Sequence, residues 1–535
     1  MKRKFLLLLV LFSGIVITAC KKDVEFYSEP YMDGKGTIGV IFDRTVSPSP
    51  NIGKPGDEVT FRVQGLEKFK DKAIFKVNGE IAEVTDISEN EVKIKIPAFA
   101  SSGVTSLTID DIVVFGPTFE VDGIIRIDPT WAATIGSNGA IINRFVTPDE
   151  KVIYVGSFTN YENKGLVRPI NRLVRTFRNG SYDVSWRTGR GANGTLNSIL
   201  EMDDRYFIAG SFSGYDQRTD NISNITSLHI HGAVDTMGVE PFRRIDQSDT
   251  IKYYPTFNGG FNSSISELYE DNGKIIATGN FRYYVSRQYD KPNFMETQDT
   301  VILDSIEIRH LARLNLDGTL DETFRFKDGK AFSGGNGNIK TFRHEEGALE
   351  GKIMVYGEFS KFDDRDVGYV LRLNPDGTVD ETFNVGGEGA DYYVNNLSYN
   401  EKTKKYSLTG NFQTFNGVQS SRMVVLNEDG TVDESFKPRS FGKGTPSFVQ
   451  QLDDGLFIVS GVFNQYDGVS RQRFMILNPD GSLHPELNTT GQFNGYLNKV
   501  IETESEDGKR ALLLLGSFSR FDNKEVSNIV RIIIE

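Results

Sequence analysis

Alternating apolar and polar positions predict a small β module near the N-terminus. The alternating apolar residues are Val59, Phe61, Val63, Val92, Ile94 and Ile96. Between these two segments, the Ile-Phe-Lys-Val stretch 74–77 ends at Asn78-Gly79, a dipeptide typical of two-residue hairpin turns. A period of two with no helical period is typical of short strands in two packed sheets. We therefore predict an all-β chain that opens with a β-sandwich over residues 37–122.

From residue 123 onward the chain repeats itself. The pattern Gly-x-Phe-x-x-[Tyr/Phe] occurs seven times, starting at Gly156, Gly210, Gly279, Gly357, Gly410, Gly461 and Gly516. Successive copies lie 51 to 78 residues apart, about 60 on average. Short strands and tight turns at a long, nearly constant period are typical of β-propeller blades. Residues 123–535 are therefore predicted to form a seven-bladed propeller.

A second motif lies between the copies of the first. Residues 313–324 and 372–383 each run from Arg-Leu-Asn through an Asp-Gly turn to a Phe, and a degenerate version ends at Trp186. Residues 124–131 form a shortened version that precedes the first unit, whereas the last unit has the strand without the continuation. We expect residues 124–131 to complete the last blade, with Trp131 in the place of the Phe. Such closure removes exposed sheet edges.

The first 36 residues carry a different signal. Three basic residues precede an apolar run over 5–16 that is too short to cross a bilayer, which predicts a signal peptide over residues 1–19. The Ile-Thr-Ala-Cys sequence at 17–20 resembles the bacterial lipobox, although Ile17 stands where Leu is usual. The resemblance implies lipid on Cys20, followed by a tether to residue 36. The Lys and acidic residues of 21–25 resemble the export signal of Bacteroidota surface lipoproteins, which implies an outer-membrane address facing the exterior.

Composition excludes several functional classes. Charged residues make up 25% and hydrophobic residues 38%, which is ordinary for a folded soluble domain. The net charge is −13 and no basic block offsets it, so nucleic acid is not an expected partner. Cys20 is the only cysteine, so disulfides, Cys-ligated metals and thiol nucleophiles are not expected.

Catalytic and metal-binding patterns are weak. Of the five histidines, only His229 and His231 have the spacing to share a strand face, and no third ligand is evident. Nucleophile elbows and phosphate loops are absent. A glycosidase needs two carboxylates at a defined distance in space, which no linear spacing reveals. We expect no metal, no cofactor and no enzymatic activity.

The places where the repeat lengthens are the candidate binding surfaces. The two longest spacings, 69 and 78 residues, locate insertions within 213–258 and 282–310. Aromatic faces and Arg side chains suit sugar rings and peptide backbones equally well. The candidate contact residues are Tyr253, Tyr254, Arg243, Arg287 and Tyr289 in the insertions, and Tyr392 and Tyr393 on another stretch between blades. The alternative is that these are merely solvated loops.

Three family resemblances extend this interpretation. Residues 37–122, with Pro55-Gly56, Asn78-Gly79 and Ser102-Gly103, resemble the immunoglobulin-like TIG module. The units of 124–535 are similar to the delta-60 repeats of bacterial propellers. Together with the lipobox, they resemble accessory lipoproteins of SusC/SusD-type nutrient importers. This implies a non-catalytic surface protein that binds an oligosaccharide or oligopeptide, or docks on the importer. A propeller glycoside hydrolase or other hydrolase, and an adhesin or structural scaffold, are the alternatives.

Overall fold

The computed structural model describes residues 38–218, 221–239, 251–289 and 302–535. These residues form β-strands and three short 3-10 helices, at Glu67–Phe69, Gly347–Leu349 and Glu486–Asn488. Within these ranges, no helix has the length and apolar character needed to span a membrane. The chain is all-β, as the sequence predicts.

Residues 38–122, here the N-terminal module, form two sheets. The strands are β1 (Ile41–Phe42), β2 (Ile52–Gly53), β3 (Glu58–Gln64), β4 (Ala73–Val77), β5 (Glu80–Ile81), β6 (Glu83–Ile87), β7 (Glu91–Lys95), β8 (Gly103–Ile109) and β9 (Ile112–Val121). One sheet has the order β1-β3-β7-β6 and the other β2-β9-β8-β4-β5. The alternating Val59, Phe61 and Val63 of β3 share one buried core with Phe75 and Leu107 of the other sheet. The predicted alternation is therefore correct and supplies the core.

The described residues after 122 form a series of antiparallel sheets, six of which are three-stranded. After β10 (Ile125–Ile127), sheet one contains β11 (Ile141–Val146), β12 (Val152–Gly156) and β13 (Leu173–Thr176). Sheet two contains β14 (Thr195–Met202), β15 (Arg205–Ser211) and β16 (Ile225–His229), and is followed by the hairpin β17 (Thr236–Val239) and β18 (Lys252–Pro255). Sheet three contains β19 (Ile265–Asp271), β20 (Lys274–Gly279) and β23 (Leu311–Leu314), with the hairpin β21 (Tyr283–Gln288) and β22 (Ile302–Glu307) inserted between the last two.

The later sheets repeat this plan with shorter hairpins. After the hairpin β24 (Phe326–Lys327) and β25 (Lys330–Ala331), sheet four contains β26 (Ile339–Arg343), β27 (Ile353–Gly357) and β30 (Val370–Leu373), with the hairpin β28 (Lys361–Phe362) and β29 (Arg365–Asp366). Sheet five contains β31 (Val394–Asn400), β32 (Lys405–Gly410) and β35 (Met423–Asn427), with β33 (Thr414–Phe415) and β34 (Val418–Gln419). Sheet six contains β36 (Thr445–Gln451), β37 (Phe457–Val462) and β40 (Phe474–Leu477), with β38 (Gln465–Tyr466) and β39 (Val469–Ser470). Sheet seven contains β41 (Asn494–Glu504), β42 (Arg510–Phe521) and β44 (Ile529–Ile534), with β43 (Lys524–Glu525).

Buried apolar clusters join each sheet to the next. Residues of sheets one and two share one cluster, residues of sheets two and three share another, and so on around to sheets six and seven. A further cluster packs Leu513, Leu515 and Ile529 of sheet seven against Ile141 and Tyr154 of sheet one. The sheets therefore close into a ring, which is the architecture of a β-propeller.

The Gly-x-Phe motif is explained by backbone crowding and side-chain burial. Each of its seven glycines donates its N–H to the carbonyl of the residue directly before the third strand, as Gly410 does to Arg422. A Cβ at any of these glycines would lie 2.0–2.4 Å from a carbonyl oxygen, closer than real Cβ contacts allow. The seven Phe side chains are at most 4% exposed. The glycine of the motif is therefore required by close backbone approach, and the phenylalanine packs in the core.

The second motif is a buried ion pair beneath an aromatic ring. In sheet three, Arg313 Nε donates to Asp321 Oδ2 at 2.7 Å and the guanidinium lies 5.0 Å from the ring centre of Phe324. Arg372, Asp380 and Phe383 repeat the arrangement in sheet four, and Arg175, Asp183 and Trp186 repeat it in sheet one. Both tryptophans are buried, as predicted.

The same arrangement closes the ring. β10 pairs antiparallel with β44, with Ile125 opposite Ile534 and Ile127 opposite Ile532. Arg531 binds Asp128, and its guanidinium lies 4.9 Å from the ring centre of Trp131. The expectation that residues 124–131 complete the last sheet is confirmed in its strand pairing and in the position of Trp131.

The N-terminal module packs against sheets six and seven. Arg471, only 2% exposed, donates to the Phe99 carbonyl at 3.1 Å, and burial lowers the pKa of Arg471 to about 10. Further hydrogen bonds join Gln472 to Asn78, Ser470 to Glu80, and Asn523 to Ser102. The module is thus in direct contact with the ring.

Candidate functional site

Two of the predicted contact residues pack in the interior of the insertions. Tyr254 is 7% exposed and Tyr289 is 6% exposed, and their rings stack with centres 4.1 Å apart. Tyr253 is 62% exposed because successive residues of β18 point to opposite sides of the strand. Of the three candidate tyrosines in the insertions, only Tyr253 is exposed; the other two link the inserted hairpins.

Arg287 makes hydrogen bonds to neighbouring parts of the fold. Its backbone N–H donates to Asn258 Oδ1 at 3.0 Å, and Asn258 Nδ2 returns a 2.7 Å hydrogen bond to the Arg287 carbonyl. Its guanidinium donates to Ser223 Oγ at 2.7 Å. Arg287 thereby ties the β21–β22 hairpin to the loop before β16. Arg243 and Cys20 lie outside the described residues.

Tyr392 and Tyr393 form an exposed aromatic stack at the boundary of sheets four and five. Their ring centres lie 4.1 Å apart with an interplanar angle of 23°, and Tyr392 is 45% exposed. Tyr369 adds a third ring, 5.5 Å from Tyr393 and 6.1 Å from Tyr392. These three residues are called the tyrosine cluster below. It presents aromatic faces and phenol groups together at the surface.

Backbone contacts at the start of sheet five hold the cluster in place. Tyr393 directly precedes β31, and its carbonyl accepts the N–H of Asn411 at 2.9 Å. A Cβ at Gly410 would lie 2.1 Å from this carbonyl oxygen. The Gly-x-Phe motif of sheet five thus fixes the backbone that carries the stack.

Tyr369 occupies a position that is equivalent in all seven sheets. The residue directly before each third strand has a positive φ: Arg172, Asn224, His310, Tyr369, Arg422, Arg473 and Asn528, with φ between 63° and 73°. Asn224 and Asn528 use this position to donate to carbonyls of the next sheet, those of Phe261 and Ser137. Tyr369 instead packs its ring on the tyrosines before sheet five. Sequence reasoning missed Tyr369, because the residue type at this position varies from sheet to sheet.

Within the tyrosine cluster, the surroundings of Tyr393 favour its protonated form. The hydrogen bond with Tyr392 raises the pKa of Tyr393, and nearby Glu358 raises it further. Glu358 is itself held at the surface by Asn338 Nδ2, 2.9 Å from its Oε2. The Tyr393 phenol therefore acts as a hydrogen-bond donor at neutral pH.

Four of the five histidines fall into a buried pair and a stacked pair. His310 and His344 are buried, and burial lowers the pKa of both, that of His344 to about 4. His229 and His231 stack with ring centres 5.2 Å apart, beside Asp235. In the part of the chain that the structure describes, no group of three His, Cys, Asp or Glu residues could hold a metal ion.

A cleft of about 930 Å³ lies between the N-terminal module and sheet seven. Its lining mixes Lys54, Lys95 and Arg126 with Glu83 and Glu486. It has no aromatic lining residue and no preference for one sign of charge, so it specifies no ligand. The tyrosine cluster remains the better candidate site.

Comparisons with known proteins agree with the fold. A family model described as "Domain of unknown function (DUF5122) beta-propeller" matches residues 309–324, 351–383, 405–436 and 453–485, which lie in sheets three to six. No curated protein matches the chain.

The solved structures that are similar to this chain are distant in sequence. An auxiliary nutrient binding protein from Bacteroides thetaiotaomicron is 11% identical, with a TM-score of 0.29, and the alignment covers 80% of this chain and 95% of that one. One from Bacteroides ovatus is 14% identical, with a TM-score of 0.20, covering 69% and 94%. The WD40 propeller domain of Doa1 is 12% identical, with a TM-score of 0.39, covering 76% and 96%. Identities and TM-scores this low carry no information on function.

Proposed function

We propose that the chain is a non-catalytic binding protein on the outer face of the outer membrane, anchored by lipid on Cys20. Residues 38–122 form an immunoglobulin-like sandwich of the TIG type in this proposal, and residues 123–535 form a seven-bladed propeller with one sheet per blade. Two sheets around one core support the first assignment. Seven successive sheets joined by clusters in cyclic order support the second.

The observation that carries the binding function is the exposed stack of Tyr392 on Tyr393. Each tyrosine ring is a large apolar surface that is normally buried, with a hydroxyl that bonds to polar groups. Binding sites combine such apolar faces with a few fixed polar groups. A pyranose ring has the matching chemistry, with apolar C–H faces and hydroxyls at its edge. An oligosaccharide is therefore the proposed ligand, and an oligopeptide is the alternative that the test below includes.

The proposed partner is a SusC/SusD-type importer, which would take up the captured oligosaccharide. The lipobox, the acidic segment after Cys20 and the propeller repeats support this placement through their resemblance to accessory lipoproteins. Docking on the importer and saccharide capture are compatible roles, because different sheets of the ring can contact the two partners.

The test is binding of the purified full chain to oligosaccharide and peptide panels. Tyr392→Ala should weaken saccharide binding by about 1–3 kcal/mol, since the stack supplies the main contact surface. Tyr253→Ala, a change at another exposed tyrosine, is the matched control and should leave binding unchanged. Binding of peptides alone, or equal loss in both variants, would count against the assignment. Release of sugar products, abolished by a single Asp or Glu substitution, would favour a hydrolase.

A further inference from the structure

Lys340 and Lys499 lie on the first strands of their sheets, β26 and β41, close to the axis of the ring. First strands of neighbouring sheets contact one another, for example β11 with β14 and β41. Both lysine side chains are accessible to solvent, and yet the surrounding sheets desolvate them enough to lower the pKa of each. Both side chains therefore lie in the space where the first strands of neighbouring sheets approach one another, and both are still reached by solvent.

Contacts across the axis define the deeper part of this space. Lys499 Nζ donates to Asn143 Oδ1 at 2.8 Å, and Asn143 Nδ2 donates to Glu267 Oε2 at 3.1 Å. Asn143 belongs to sheet one and Glu267 to sheet three, so this hydrogen bond bypasses sheet two. Ser198 of sheet two also donates to Glu267, at 3.3 Å. Side chains of non-adjacent sheets meet in this way only near the axis. Glu267 partly offsets the charge of Lys499.

Lys340 connects this axial space to the tyrosine cluster. Its Nζ donates to the carbonyl of Asn395 at 2.7 Å, and Asn395 is two residues after Tyr393. Glu358 is close enough to act electrostatically on both Lys340 and Tyr393. Among the residues that the structure describes, Lys340 forms no ion pair within 4.0 Å, and two of its three ammonium donors remain for another acceptor.

We propose that the ligand of the tyrosine cluster is an anionic oligosaccharide, bearing carboxylate or sulfate groups, whose charge is bound by Lys340. This inference rests on the proposed saccharide-binding function and names the class of its ligand. A sugar ring lies on Tyr392 and Tyr393 while an acidic substituent points toward the axis. Lys499 supplies a second positive charge deeper inside. The chain carries −13 overall, so attraction of an acidic ligand requires local positive charge, which the axial lysines supply.

The experiment measures binding of labelled oligosaccharides of equal length to the purified full chain. The probes are an oligogalacturonide for carboxylate, a sulfated dextran oligosaccharide for sulfate, and an unmodified dextran oligosaccharide as the neutral reference. At least one acidic probe should bind about tenfold or more tightly than the neutral probe, because charge-assisted hydrogen bonds are stronger than neutral ones. Its affinity should fall with added salt, while that of the neutral probe stays constant.

Variants assign the effect to Lys340. Lys340→Met should remove about tenfold or more of the acidic-probe affinity and leave the neutral probe unaffected, whereas Lys340→Arg should keep most of the preference. Lys361→Met is the matched control, because Lys361 is an exposed lysine of the same sheet that pairs with Asp366 at 3.3 Å. Unchanged thermal unfolding of Lys340→Arg guards against a folding defect. The acidic probe that binds identifies the anion.

Two outcomes distinguish a failure of the charge assignment from a failure of the proposed saccharide-binding function. Equal binding of neutral and acidic probes, lost in Tyr392→Ala but not in Lys340→Met, would overturn the charge assignment and keep the saccharide site. Absence of binding to every oligosaccharide, or binding of peptides alone, would overturn both.

Discussion

Arg531 and Asp128, 403 residues apart in the chain, form a buried ion pair that joins the last strand of the ring to the segment before its first sheet. Asp128 also accepts hydrogen bonds from the backbone N–H and hydroxyl of Thr130, at 2.8 and 2.7 Å. Burial by itself would raise the pKa of Asp128, but the hydrogen bonds from Thr130 and Arg531 outweigh it and lower the pKa. The sheet that closes the ring thus contains the same Arg–Asp pair as the sheets whose strands are continuous in sequence.

Asp128→Asn should lower the free energy of unfolding by about 3–5 kcal/mol, because it leaves the buried Arg531 without its counter-charge. Denaturant unfolding of the whole chain measures the change. The control is Glu150→Gln, which removes a surface pair with Arg178 at 3.4 Å and should cost less than about 1 kcal/mol. Equal stability of the two variants would show that the pair does not hold the ring closed.

Stability should depend on pH through His344. Its Nε2 lies 2.7 Å from the Tyr406 hydroxyl, and burial lowers the pKa of His344 to about 4. The folded state therefore keeps this histidine neutral, while the unfolded chain takes up a proton below about pH 6.5. The contribution of neutral His344 to the free energy of unfolding is complete above about pH 6.5 and declines as the pH falls toward 4.

The measurement is urea unfolding of the wild type and of His344→Gln at several pH values. The wild type should lose about 2 kcal/mol more than the variant between about pH 7 and about pH 5. His231→Gln, at an exposed histidine, should follow the wild type. Parallel curves for His344→Gln and the wild type would refute this role.

Truncation of Tyr254 should lower stability strongly, whereas truncation of Tyr392 should leave stability nearly unchanged. Tyr254→Ala removes a buried ring stacked on Tyr289 and should cost about 3–5 kcal/mol of stability. Tyr392→Ala removes a half-exposed ring and should change stability by less than about 1 kcal/mol. Thermal unfolding distinguishes them. A stable Tyr254→Ala variant with impaired ligand binding would restore the insertions as the binding surface.

Gly410→Ala should disturb the tyrosine cluster through the backbone. The added methyl group would lie 2.1 Å from the Tyr393 carbonyl oxygen, so the segment that carries the stack must shift. Gly461→Ala meets the Thr445 carbonyl at 2.4 Å in sheet six and provides the matched control. Both should cost about 1–3 kcal/mol, and only Gly410→Ala should weaken saccharide binding. Equal binding losses would place the site elsewhere.

The proposed address is tested on whole cells. Proteinase added to intact cells should degrade the protein, because a lipid on Cys20 would hold it on the exterior. Cys20→Ser should abolish membrane attachment. Degradation only after the outer membrane is permeabilised would contradict surface exposure, and an abundant periplasmic protein serves as the control for cell integrity.

The regular features of the ring could be predicted because each leaves a fixed residue type. Gly410 and Phe412 mark a place without room for a Cβ and a place in the core, and Trp131 marks the closing segment. The position of Tyr369 could not be predicted in the same way. The positive φ there is imposed by backbone pairing in every sheet, and it tolerates Arg, Asn, His and Tyr alike.

The contacts near the axis could not be predicted from the sequence for another reason. Asn143 and Glu267 are 124 residues apart and belong to different repeats, so no spacing within a repeat relates them. The burial of Tyr254 and Tyr289 also depends on how two insertions pack on each other. Each insertion occurs once, so the repeat provides no template for either.

The pairing of β10 with β44 also bears on chain order. Within the ring, residues 125–127 and 529–534 are strand neighbours, so the junction of the circle falls inside a sheet. A circularly permuted gene could join these two segments by a hairpin loop and open the chain at an exposed turn such as Pro375-Asp376. The permuted ring should fold with the same sheets, since cyclic order rather than the choice of first repeat determines its neighbours. The module should stay on sheets six and seven wherever the permuted chain begins, because its contacts, such as Arg471 with the Phe99 carbonyl, are specific to those sheets.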